Sequence, residues 1–236
     1  MTNPYLLEIS VETPEGALAA VRGGARRVEL CAELSVGGLT PGEEMMRRVR
    51  ELVPVAVLAM IRQRAGDFVY SPEEVTHMRR DIAAAKRLGM DGIVLGLLTR
   101  ERRVDIERTR ELVRVAHPLP VTFHRAFDDV ADLSAALEEV IETGAARILT
   151  SGGAPTAPQG LGVLAKLVAA AGNRITIIPG SGVNASNILE VAQHIHAREF
   201  HSGLGTRIPY GSNNYSLVED EVRKMVHVLA GISEFT

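Results

Sequence analysis

Four residues that can carry a proton or hold a cation interrupt short apolar runs of this 236-residue chain: Glu8 in LLEIS, Glu29 in VELC, His124 in VTFHR and His201 in EFHS. A titratable group inside such a run needs a specific partner, because burying it alone is unfavourable. Glu8, Glu29 and His201 suit acid–base work or cation binding, since two neighbouring carboxylates repel unless a cation, a basic side chain or a shared proton lies between them. Cys31, two residues beyond Glu29 and so on the same strand face, adds the only thiol of the chain. Glu8, Glu29, His124, Arg125 and His201 are therefore the candidates for catalysis, and Cys31 with His201 for metal ligation. The competing reading is structural: Arg62 or Arg125 neutralises Glu8 or Glu29 in an internal ion pair.

His124 and Arg125 put an imidazole, the side chain that titrates nearest neutral pH, beside a permanent cation. Arg125 can clamp a carboxylate or phosphate, or pair with Asp128 to brace its own loop. Arg62, Arg64 and Asp67 surround a glycine turn in IRQRAGDF, a pattern that fits an anion gate and equally a loop braced by arginine–aspartate pairs. Three glycine-rich turns, at Ser151-Gly152, Gly180-Ser181-Gly182 and Ser202-Gly203, let backbone N–H groups approach an anion closely, or simply pack tightly. Arg62, Arg64, Asp67, Ser151, Gly152, Gly180, Ser181, Gly182 and Ser202 are accordingly the ligand-binding candidates. The chain has no P-loop, HExxH pair, CxxC motif or dinucleotide fingerprint.

Short apolar runs alternate with segments of helical period, the pattern of repeated βα units. The strands are expected at Leu6–Ser10, Arg27–Cys31, Val55–Ile61, Gly92–Gly96, Val121–His124, Arg147–Thr150, Thr176–Pro179 and Glu199–His201. The helices between and after them are expected near Pro14–Arg22, Glu43–Leu52, Pro72–Leu88, Ile106–Ala116, Leu133–Glu142, Gly160–Ala171, Ala185–Gln193 and Glu219–Leu229. Thr13-Pro14 and Ser71-Pro72 supply a capping side chain followed by proline at the first helical turn. A closed (β/α)8 TIM barrel, one domain over residues 1–236, is favoured over an open sheet because the polar strand residues then converge inside one ring. The least structured stretch, Gly203–Ser216, is a candidate lid or contact loop.

A core of aliphatic side chains is expected from 46% hydrophobic residues with only 4% aromatic. A net charge of −3 gives no basic field to attract nucleic acid or anionic lipid. No apolar run reaches the roughly 20 residues needed to cross a bilayer, and the N-terminus does not read as a secretory signal. The expected partners are therefore an ion or a small molecule, neither nucleic acid nor membrane. A lone cysteine suits the reducing cytoplasm.

The strings VELCAELSVGGLTPG, IRQRAGDFVYS, PVTFHRAFD, ILTSGG and EFHS, in this order across nearly the whole chain, resemble the CutC family of copper homeostasis proteins. The resemblance implies a cytoplasmic barrel, homo-oligomeric, with copper as the implied ligand. By motif it draws attention to Glu29, Cys31, Arg62, Arg64, Asp67, His124, Arg125 and His201. The chain departs from the family pattern at Gln63, Ala65 and Ser181. Two functions follow as expectations. One is Cu(I) binding through Cys31 and His201. The other is an enzyme of lyase, isomerase or hydrolase type acting on a small anionic or phosphorylated metabolite, by Glu/His acid–base chemistry or with a divalent metal held by Glu8, Glu29 and His201.

Overall fold

The structure is a computed structural model that describes residues 4–205 and 207–232. Strands and helices alternate as β1 (Leu6–Val11), α1 (Pro14–Arg22), β2 (Arg27–Leu30), α2 (Glu43–Leu52), β3 (Ala56–Met60), α3 (Pro72–Arg87), β4 (Gly92–Leu95) and α4 (Ile106–Ala116). They continue as β5 (Val121–Phe123), α5 (Leu133–Thr143), β6 (Arg147–Thr150), α6 (Leu161–Ala171), β7 (Thr176–Pro179), α7 (Ile188–Ile195), β8 (Glu199–Ser202) and α8 (Tyr215–Ile232).

Neighbouring strands pair in parallel in the order β7-β6-β5-β4-β3-β2-β1-β8, and β7 lies against β8 to complete a (β/α)8 barrel. At that last seam no ladder forms, so the ring is nearly, not fully, sealed by hydrogen bonds. Alternation along each strand separates two environments. Ile9, Val28, Val57, Ile93, Phe123, Ile148 and Phe200 point outward into the main apolar core beneath the helices. The opposite faces carry a small inner cluster of Cys31, Leu58, Met60 and Val94, together with the polar groups of the barrel axis.

Local sequence fixes the helix starts. Thr13 Oγ1 accepts from the Gly16 N–H, and Ser71 with Glu74 forms a reciprocal capping box ahead of α3. The last helix begins at Tyr215, four residues before the expected Glu219, because Asn214 Oδ1 accepts from the Leu217 N–H and so caps it earlier than the apolar pattern suggests. The loop expected at Gly203–Ser216 consequently ends at Asn214; Thr206 within it lies outside the described residues. Tyr210 packs on the bare backbone of Gly205, where a Cβ would lie 2.4 Å from the ring, and this turns the loop over the barrel mouth.

Candidate functional site

Register sets the site. On β1, Glu8 stands level with His201 of β8 and with Arg27 of β2, while Ser10 stands level with Glu29. All five side chains therefore point into the ring from three adjacent strands. His201 Nδ1 lies 2.7 Å from Glu8 Oε1 and 3.9 Å from Glu29 Oε2, and its Nε2 is 3.2 Å from Ser10 Oγ. The other Glu8 oxygen accepts from Arg27 Nε. Glu29 Oε1 accepts from the Cys31 thiol at 3.2 Å. Glu8, Glu29 and His201 each offer a ligand atom within 4.8 Å of the others, so this group could hold a metal ion.

Below these groups runs a line of ion pairs that the sequence reading did not single out. Arg27 Nη2 meets Glu199 Oε2 at 2.7 Å as a charge contact without hydrogen-bond geometry, and Arg147 Nε approaches the same oxygen at 3.3 Å. The neutraliser of Glu8 is thus Arg27, not Arg62 or Arg125 as the ion-pair alternative had it. Arg27 sits two residues before Glu29 on one strand, so the period-two alternation that flagged Glu29 and Cys31 points to it as well.

Burial and charge set the protonation of this group. Burial opposes ionisation of Glu8, yet Arg27 and the His201 contacts outweigh it and hold the carboxyl at about 2. Burial likewise opposes charge on His201, but the carboxylates of Glu29 and Glu8 prevail and raise its pKa. Glu29 is pushed up, chiefly by burial. Burial, followed by the charge of Glu29, pushes the Cys31 thiol well above its ordinary range, so in the free protein it is a neutral donor.

Across the mouth, His124 follows β5 and is only 3% exposed. Its Nδ1 accepts from the Ala126 N–H at 3.1 Å, which assigns the ring proton to Nε2. Burial, with the charge of Arg62 added, holds this imidazole neutral by pushing its pKa down to about 3. At neutral pH this imidazole offers Nε2–H as a donor, with Nδ1 committed to the backbone. Gly96 makes room for it: a Cβ there would lie 2.5 Å from Nδ1.

Glu29, Arg62, His124, Arg125, Ser181, Gly182 and His201 all line one cavity of about 490 Å³ at the C-terminal mouth. Glu8 and Cys31 lie buried outside its lining. The remaining predicted positions serve the loops around it. Arg64 bonds Asp67 at 2.9 Å and Glu74 at 2.7 Å, bracing the turn after β3. Arg125 Nε bonds Asp128 at 2.8 Å and its Nη2 bonds Ser151 Oγ at 3.2 Å. The Gly152 and Gly180 N–H groups donate to Thr150, Ser181 Oγ to the Pro155 carbonyl, and Ser202 Oγ to the Val183 carbonyl. Sequence reasoning passed over Ser10 and Phe68, both on the cavity wall; Phe68 stacks with its ring centroid 4.9 Å from that of His124.

Comparison with known proteins agrees with this architecture. Residues 5–206 match the family model described as the CutC family. A "family protein CutC" of Sinorhizobium medicae is 46% identical over 217 residues, covering 92% of this chain and 87% of that protein. The "copper homeostasis protein cutC homolog" of Homo sapiens is 44% identical over 206 residues, covering 87% of this chain and 76% of its own. The crystal structure of the putative copper homeostasis protein CutC from Streptococcus agalactiae superposes with a TM-score of 0.78 at 32% identity, covering 84% of this chain and 98% of that one. Thiamine phosphate pyrophosphorylase from Pyrococcus furiosus, at 18% identity and a TM-score of 0.63, shares the fold alone.

Proposed function

The chain belongs to the CutC family, and from that premise we propose that it serves copper homeostasis by binding Cu(I) at the barrel mouth, with Cys31 and His201 as the principal ligands. One observation carries the reading: the Cys31 thiol donates to Glu29 Oε1 at 3.2 Å while the other Glu29 oxygen stands 3.9 Å from His201 Nδ1. A soft donor and an imidazole thus flank a carboxylate that can take the thiol proton when copper replaces it, as ligation requires the thiolate.

Copper suits this donor set better than a hard divalent ion does. Both Glu8 oxygens are engaged, by Arg27 and by His201, which leaves Glu29 as the carboxylate free to ligate. Cu(I) favours sulfur and imidazole donors. Met60 adds a thioether nearby: a Cβ on Gly38 would touch both Cys31 Sγ, at 3.0 Å, and Met60 Cε, at 3.4 Å. A reducing compartment such as the cytoplasm belongs to this reading, because the unpaired thiol must stay reduced.

Anaerobic titration with Cu(I) against a competing chelator tests it. The wild type is expected to take up a single copper per chain, and Cys31→Ser to lose that uptake while keeping its fold. Retention of submicromolar affinity by the serine variant would remove Cys31 from the site and overturn the assignment.

A further inference from the structure

Arg62 carries a positive charge that is 5% exposed, and it forms no ion pair with a carboxylate among the described residues. The guanidinium is anchored by backbone carbonyls instead. Nη1 donates to Val36 at 2.8 Å and to Gly38 at 3.1 Å, and Nη2 donates to Gly66 at 3.1 Å. Its Nε is buried without a hydrogen bond of good geometry, and the buried Tyr70 hydroxyl interacts with the same guanidinium. The His124 Nε2–H is also buried and without an acceptor. Phe68 contacts both, with the Arg62 Cζ over its ring at 4.9 Å from the centroid and the tilted imidazole ring centred 4.9 Å away. Arg62, Phe68 and His124 all line the mouth cavity.

A buried cation without a counter-charge, and a buried donor without an acceptor, are unfavourable unless something completes them. Built by loops that fix both side chains, they form half of a recognition site. Two donors and a single charge remain to be answered. That matches a carboxylate, which brings two oxygens and one negative charge. A phosphate would bring more charge and more acceptor oxygens than this wall can meet.

We propose that the β3–β5 wall of the mouth is a binding site for a small organic carboxylate, whose oxygens accept from His124 Nε2–H and Arg62 Nε. The cavity volume of about 490 Å³ limits the ligand to a compact metabolite. This wall shares one cavity with Glu29 and His201 but uses none of the Cys31, Glu29 or His201 donor atoms, and it does not depend on copper. The role assigned to Arg125 narrows accordingly: its Nε and Nη2 are already engaged by Asp128 and Ser151, so it borders the site without anchoring the anion.

The experiment uses metal-free full-length protein labelled with 15N in histidine, titrated with propionate, with neutral propionamide and inorganic phosphate in parallel. Propionate is expected to move the His124 Nε2 resonance saturably, propionamide to leave it in place, and phosphate to act at least about tenfold more weakly. His124→Asn, whose amide can still accept from the Ala126 N–H, is expected to bind propionate about tenfold or more weakly while remaining folded. Arg62→Lys, which keeps the charge but loses the fork that grips the three carbonyls, is expected to weaken it as well. An unmoved His124 resonance at saturating millimolar propionate, or equal responses to propionate and phosphate, would overturn the carboxylate assignment. Loss of copper binding in a separate titration would leave this result untouched, so the two readings fail independently.

Discussion

His124 and His201 are both buried, yet only His201 faces carboxylates. The first is therefore held neutral, at about 3, and the second is held toward its charged form. For His124 the consequence for stability has a definite sign. Its folded pKa lies below the ordinary 6.5, so the unfolded chain binds a proton that the native protein refuses. The stability it preserves is complete above pH 6.5 and is lost as pH falls from there toward 3, at up to about 1.4 kcal/mol per pH unit. The charged group facing it is the Arg62 guanidinium. His124→Asn removes this slope. Chemical denaturation at a series of pH values should find the wild type's stability relative to the variant shrinking as pH falls from 7 to 4. A constant difference would mean that His124 is protonated in the folded protein. None of this was legible in VTFHR, because the protonation depends on depth and on the absence of a carboxylate, and a residue's neighbours in sequence report neither.

At the scale of the elements, β1, β2 and β8 act as one charged unit: Glu8, Arg27, Glu199 and His201 interlock across three strands, with Arg147 of β6 joining from across the barrel. Removing one member strands the others in a dry interior. Arg27→Leu should therefore lower stability by about 3–5 kcal/mol, the range for breaking a buried ion pair, visible as a shift in urea midpoint. A loss below about 1 kcal/mol would show that water reaches and compensates Glu8. The sequence was informative where alternation applies. Strand periodicity located Glu8, Glu29 and His201 on inward faces, and adjacency in a closed ring brought them together. It was less informative at strand beginnings. Arg27, Arg147 and Glu199 each open a strand, where a charged residue usually meets solvent; alternation with Glu29 and His201 points Arg27 and Glu199 inward, but their meeting with Arg147 follows only from the structure. Arg62 was recognised as a candidate, but its anchoring to three carbonyls follows from loop shape, which glycine spacing alone does not determine.

For the whole molecule, ring closure is what makes one mouth. Seven ladders draw the strands around, and β8 is held in place by β1, so His201 keeps its register although the β7–β8 seam has no ladder. The barrel was readable from eight alternating units, and the family follows from motifs spread over most of its length. Two chemically distinct groups stand at the mouth: Glu29 and His201 with the buried Cys31 thiol at β2 and β8, and a cationic donor wall after β3 and β5. Copper ligation by the first of these groups can be read from anomalous diffraction at the copper edge, on crystals grown anaerobically with Cu(I). A peak is expected between Cys31 Sγ and the His201 ring, within reach of Glu29. A peak elsewhere on the molecule, or none at full copper loading, would rule this ligation out.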